Sequence, residues 1–125
     1  MISYAEYVDS VKQEITEVTP QWLHEHAKDN LIIIDVRDHF ELSSGQIPGA
    51  VPISRGMLEG KISALPQFES RNSAGLDSEV PIILYCQSGA RSALSAKSLA
   101  NMGIKNVKSL RGGFKSWKEC QLPVA

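Results

Sequence analysis

The stretch Ile82-Ile83-Leu84-Tyr85-Cys86-Gln87-Ser88-Gly89-Ala90-Arg91-Ser92 constrains this chain more than any other. Its first four residues are short, apolar without alternation and preceded by Pro81, the pattern of a strand buried on both faces of a parallel sheet. From Arg91 to Met102 the residues favour helix, with Ala93, Ala96 and Ala100 on one face beside Leu99, and Gly103 stands where a helix C-terminus takes a positive φ. Cys86 is therefore expected at the carboxyl end of a strand, in a tight turn aimed at a helix N-terminus.

That position has a chemical meaning. The free amides and summed dipole of a helix N-terminus present roughly half a positive charge to an anion lying there. A thiolate is such an anion, and electropositive surroundings of this kind favour the nucleophilic thiolate over the thiol. Small residues at Ser88, Gly89 and Ala90 let successive N–H groups curl around one atom as an anion nest. Arg91 adds a fixed positive charge and Ser92 a hydroxyl. A free cysteine is more commonly inert in a core, but a core position has no need of a small-residue turn ending in arginine. Cys86 is thus the candidate nucleophile, with Gln87, Ser88, Gly89, Ala90, Arg91 and Ser92 as its loop.

The remaining elements alternate strand and helix. Ser3 and Glu6 form a capping box for an amphipathic helix over residues 3–14, whose Tyr4, Tyr7, Val8, Val11 and Ile15 recur at helical spacing. Glu17-Val18 is a minimal strand. Thr19-Pro20 opens a short helix in which Trp22 and Leu23 are core candidates. Leu31 to Ile34 is a second buried strand ending in Asp35, and Asp38 with Glu41 caps a short helix that Gly45 stops. Val51-Pro52-Ile53 is a third strand, and Ser54 to Ile62 begins the next helix. Pro66 to Glu79 lacks periodicity and is read as a loop or mobile flap. Val107 to Leu110 is the last strand, and Gly112-Gly113 turns into a helix carrying Phe114 and Trp117, the latter a core anchor.

At 125 residues one core is the default. Thirteen basic against 14 acidic residues leave no net field for nucleic acid or an anionic membrane. No apolar run approaches the roughly 20 residues of a membrane span, and the first residues do not read as a secretory signal. Cys86 and Cys120 lie far apart without CxxC or Cys/His spacing, so neither a disulfide framework nor a metal site is expected, and a reduced cytoplasmic setting fits. Cys120 has no nest or companion and is read as packing or an incidental thiol.

Cys-Gln-Ser-Gly-Ala-Arg-Ser after Ile-Ile-Leu-Tyr resembles the active loop of rhodanese-type sulfurtransferases. Asp35-Val36-Arg37 after Ile32-Ile33-Ile34, then Gly45-Gln46-Ile47-Pro48-Gly49-Ala50, and Leu110-Arg111-Gly112-Gly113-Phe114-Lys115-Ser116-Trp117, resemble the family's other signature segments in order and spacing. The resemblance implies one α/β rhodanese-like domain over residues 16–125, with a five-stranded, mainly parallel sheet flanked by helices on both faces. Residues 1–15 are then an N-terminal helical extension. It also implies that Asp35 and Arg37 brace the active loop, the plainer reading being an ion pair that holds its own turn. Ile-Ser-Arg-Gly-Met-Leu-Glu resembles a subgroup in which the arginine, here Arg55, lies near the pocket and helps hold a donor oxyanion; a solvated first-turn arginine is the equal alternative. Where the family commonly has histidine after Gly45, this chain has Gln46, which removes any role of that imidazole.

The implied reaction is transfer of sulfane sulfur from a donor such as thiosulfate to a thiophilic acceptor, cyanide or a thiol, through a Cys86 persulfide, with no cofactor. The partners are a small-molecule donor and acceptor, or a protein sulfur donor or acceptor in the carrier version of the same chemistry. Two other readings stand beside it. One is a rhodanese-fold binding or regulatory module, which the presence of the cysteine disfavours. The other is a cysteine phosphatase of related fold, whose loop places five residues between cysteine and arginine where this chain has four: Gln87, Ser88, Gly89 and Ala90.

Overall fold

The computed structural model describes residues 1–65 and 80–125. Its centre is a sheet of five strands, β1 (Thr16–Val18), β2 (Ile32–Asp35), β3 (Val51–Pro52), β4 (Ile82–Tyr85) and β5 (Val107–Leu110), in the order β1-β5-β4-β2-β3. All four neighbouring pairs are parallel, so the expected mainly parallel sheet is wholly so. The two unbroken apolar runs occupy the interior: β2 and β4 lie side by side, with Ile33 opposite Ile83 and Asp35 opposite Tyr85.

Alternation of side chains across the pleat divides the core in two. Ile32, Ile34, Ile82, Leu84 and Cys86 face one layer, packed by Leu58, Ile62, Ala96 and Leu99; Ile33, Ile83, Tyr85 and Leu110 face the other, packed by Leu23, Phe114 and Trp117. The first layer is built by α3 (Leu58–Lys61) and α4 (Ala90–Asn101), the second by α2 (Pro20–His26) and α5 (Gly113–Glu119). A strand covered on both faces needs no polar side, which is why these runs are continuous.

α1 (Tyr4–Lys12) carries the expected capping box, with Ser3 Oγ accepting from the Glu6 amide and Glu6 Oε1 accepting from the Ser3 amide. It lays Val8 and Val11 against α4, while Tyr4 and Tyr7, read as part of its apolar face, are exposed. Within the helix the valine pair supplies the packing stripe, and Ile15, just beyond it, is partly buried against the core. In α4, Ala93, Ala96 and Leu99 are buried as expected, but Ala100 is exposed. Thr19 caps α2 through the Trp22 amide; Leu23 is buried and Trp22 only partly, stacked on the His26 ring at 4.1 Å. Trp117 is a core anchor, its Nε1 donating to the Pro123 carbonyl. The segment after β2 is 3₁₀ rather than α, His39–Ser44, closed by Gly45 at φ 107°. The loop or flap read at residues 66–79 lies outside the described residues.

Candidate active site

β4 delivers Cys86 to the carboxyl edge of the sheet, and the chain then turns through Gln87, Ser88 and Gly89 into α4. Gly89 has φ 101°, a conformation costly for any residue with a Cβ. The turn brings two amides onto the sulfur: Gly89 N–H lies 3.1 Å and Ser92 N–H 3.4 Å from Cys86 Sγ. Ser92 Oγ is a third neighbour at 3.5 Å and is itself 2.8 Å from Ser109 Oγ on β5. Cys86 is 1 % exposed, and Ser92 and Ser109 are fully buried.

The turn is held from behind by the start of α5. Phe114 N–H donates to the Cys86 carbonyl at 2.8 Å and Lys115 N–H to the Gln87 carbonyl at 3.0 Å. That approach requires Gly113, where a Cβ would stand 2.5 Å from the Cys86 carbonyl oxygen. Gly113 is therefore a packing requirement of the cysteine turn, whereas a Cβ at Gly112 would meet Ser116 instead.

Arg91 leaves the first turn of α4 and is gripped at two points by Glu41, Nη1 to Oε1 at 2.6 Å and Nη2 to Oε2 at 3.0 Å. That hydrogen bond raises the Arg91 pKa above its ordinary value, with a further contribution from the neighbouring Cys86 sulfur, against an opposing effect of burial. Glu41 was visible in the sequence only as a helix cap, and it does accept from the Asp38 amide through Oε1. Its second role needs a partner fifty positions away, for which the sequence carries no local sign.

Asp35 and Arg37 form a fully buried ion pair, Nη2 to Oδ2 at 2.7 Å and Nε to Oδ1 at 3.0 Å. The same guanidinium donates to the carbonyls of Glu41 and Gly45 and lies 4.5 Å from the centre of the Phe114 ring. It thus ties β2 to the 3₁₀ segment that carries Glu41 and to the helix that backs the cysteine turn. Arg55 has a different neighbourhood. It pairs with Glu59 at 2.7 Å, Glu59 also accepting from Ser98, and it lines a cavity of about 280 Å³ with Tyr7, Leu94, Lys97 and Asn101 between α1 and α4. Gln46 is joined by backbone hydrogen bonds in both directions to Ala125. Ser109 escaped the sequence reading; its one sign is a serine inside an otherwise buried strand end.

The rhodanese-like domain family model matches residues 19–120. The chain belongs to the rhodanese-like domain family. Among relatives of this rhodanese-like protein, the thiosulfate sulfurtransferase GlpE of Haemophilus influenzae is 32% identical over 108 residues, 86% of this chain and 92% of that one. A sulfurtransferase of Allochromatium vinosum is 26% identical over 88% of this chain and 94% of its own. The polysulfide-sulfur transferase homodimer of Wolinella succinogenes superposes with a TM-score of 0.74 at 27% identity, over 98% of this chain and 86% of that one. A protein of unknown function from Rhodopseudomonas palustris, described as a possible tyrosine phosphatase, superposes at 0.80 with 28% identity, over 100% and 96% of the two chains.

Proposed function

We propose that this rhodanese-like domain is a sulfurtransferase working through a persulfide on Cys86. The observation that carries the reading is the pair of amides, Gly89 and Ser92, directed at Sγ from the strand-to-helix turn. Cys86 thiolate attacks the outer sulfur of thiosulfate, the S–S bond to the sulfonate breaks, and sulfite leaves with the bonding pair. The enzyme keeps a terminal persulfide anion. Cyanide or a thiolate then attacks that outer sulfur, and Cys86 leaves as thiolate, with thiocyanate or a new persulfide as product. The amides stabilise negative charge at Sγ at both ends of the cycle, in the manner of an oxyanion hole. No general base is required if the resting form is the thiolate.

In this reading Arg91 meets the donor's anionic end while sharing its guanidinium with Glu41, and Arg55 joins it only by leaving Glu59. Asp35 and Arg37 act through the Glu41 segment, as braces of the loop. Since Cys86 is 1 % exposed, loading is expected to be gated by movement of the side chains around it. Residues 1–15 are read as an extension of a domain at 16–125, and the setting as the reducing cytoplasm; no helix among the described residues is long and apolar enough to cross a membrane. A protein persulfide is the alternative source of sulfur, and a protein thiolate the alternative sink.

The test is an intact mass after incubation with thiosulfate, then after cyanide, for the wild type and Cys86→Ser. A gain of one sulfur atom on the wild type alone, discharged as thiocyanate, is expected. No uptake, or uptake unchanged in the variant, overturns the reading. The relative described as a possible tyrosine phosphatase gives the phosphatase alternative one observation. The four-residue spacing suits a sulfur atom better than a tetrahedral phosphate, so hydrolysis of an aryl phosphate without thiosulfate turnover is the outcome that would favour it.

A further inference from the structure

Behind the sulfur lies a chain of two buried hydroxyls that the reaction as described does not use. Ser92 Oγ sits 3.5 Å from Cys86 Sγ, and Ser109 Oγ sits 2.8 Å from Ser92 Oγ. Both serines are completely covered. Ser109 is a polar residue at the carboxyl end of β5, directly opposite Leu84 in the strand register, one alternation before Cys86 on the same face. A hydroxyl there costs free energy unless it is hydrogen-bonded, and it is bonded to Ser92 Oγ.

The protonation logic gives this pair a direction. A thiolate can only accept, so the Ser92 proton must point at Sγ when that sulfur is charged. Ser92 Oγ then offers only lone pairs to Ser109, whose proton must point at Ser92. The order is Ser109 O–H to Ser92 O–H to Sγ, each bond polarising the next. With a neutral thiol that constraint is lifted, and the chain can also run the other way. A hydrogen bond donated to a charged sulfur is charge-assisted and stronger than one made with the neutral thiol. Helical serines commonly turn back to a carbonyl one turn earlier, as Ser95 Oγ does to the Arg91 carbonyl. Without Ser109, Ser92 would lose one of the two contacts that hold it on the sulfur.

We infer that Ser109 is a positioning residue for the sulfur-transfer reaction, acting through Ser92 to hold a hydroxyl proton on Cys86 Sγ and so favour its anionic form. The inference rests on Cys86 being the reacting atom of the proposed sulfurtransferase, but its test does not require sulfur transfer. The rate of Cys86 alkylation by iodoacetamide is followed against pH by intact mass for the wild type, Ser109→Ala, Ser92→Ala, the double variant and Ser109→Thr, with Cys120→Ser in every background so that one thiol reports.

Ser109→Ala is expected to move the half-maximal pH of alkylation upward by about half a unit while the high-pH plateau holds or rises, since a less stabilised thiolate is the stronger nucleophile. Ser92→Ala should move it further, Ser109→Thr should restore it, and Ser109→Ala should add nothing once Ser92 is gone. An unmoved half-maximal pH in Ser109→Ala, or an equal shift in the Ser92→Ala background, overturns the inference. Loss of the plateau or of thermal stability without a shift assigns Ser109 a packing role and overturns it as well. Normal alkylation shifts in a protein that never takes up thiosulfate sulfur would leave the hydroxyl chain standing and remove the sulfurtransferase.

Discussion

Glu41 and Arg91 meet as carboxylate and guanidinium in a two-point pair of 2.6 and 3.0 Å, at the mouth of the turn that holds Cys86. The only formal positive charge supplied by the loop is thus already matched by a negative one. A dianionic donor approaching Arg91 must share it with Glu41, and the field it meets is weaker than the loop sequence alone suggests.

Replacing that carboxylate by its neutral isostere exposes the difference. Glu41→Gln keeps an acceptor for Arg91 and for the Asp38 amide, but removes the negative charge. Persulfide formation from thiosulfate at low salt should accelerate by about threefold, and the gain should shrink as ionic strength rises. Stopped-flow or quenched mass measurement of loading against salt decides it; a slower, salt-independent reaction would show that Glu41 serves only to place Arg91.

The same pair sets an acid limit on stability. The Arg91 hydrogen bond holds the Glu41 pKa below its ordinary 4.5, against an opposing effect of burial. For Glu59 burial again pushes upward and is outweighed by hydrogen bonds from Ser98 and Arg55. Because the folded protein binds these protons less tightly than the unfolded chain, both contributions are complete above the unfolded values and disappear as pH falls through the folded ones. Urea midpoints should therefore drop below about pH 4.5, and Glu41→Gln should flatten that limb only in part, Glu59 supplying the rest. An acid limb identical in wild type and variant would deny the Glu41 pair any role in it.

Close approach at Gly113 leads to a separate expectation. An alanine there carries a Cβ about to overlap the Cys86 carbonyl, 2.5 Å away, and Gln87 C, 2.6 Å away, at a φ of +61°. Gly113→Ala should cost about 2–3 kcal/mol and lower the melting temperature by roughly 8 °C. Loading should slow disproportionately, because the displaced backbone is the one that aims Sγ. Gly103→Ala is the comparison: it has a similar φ of +88° but open space around it, so it should lose stability and keep its loading rate.

Much of this was legible in the chain because it depends on local chemistry. Unbroken apolar runs at Ile32–Ile34 and Ile82–Tyr85 demanded cover on two faces, and the small residues after Cys86 demanded a tight turn. What stayed hidden depends on contacts between distant segments. Glu41 looked like a cap because one of its three side-chain hydrogen bonds, that from the Asp38 amide, is a cap. Ser109 looked like any strand serine, since only the parallel register of β4 and β5 sets it beside Ser92. Tyr4 and Tyr7 satisfied a helical period, yet the stripe that meets α4 is narrower and passes through Val8 and Val11.

Arg55 supplies the last prediction, because sequence resemblance and geometry pull it in different directions. Resemblance puts an arginine at this place near the donor, whereas its guanidinium here is spent on Glu59 beside the α1–α4 cavity. The pair is about one-third exposed on each side, so solvent screens it and its loss should cost less than about 1 kcal/mol. If that is its whole role, Arg55→Ala should load sulfur from thiosulfate within about twofold of the wild type, while Arg91→Ala falls by an order of magnitude or more through loss of a charge-assisted contact. The readout is the second-order loading constant for thiosulfate beside that for a neutral organic persulfide. A matching fall for Arg55→Ala, confined to the anionic donor, would mean that Arg55 leaves Glu59 when thiosulfate arrives and that the pocket uses two arginines.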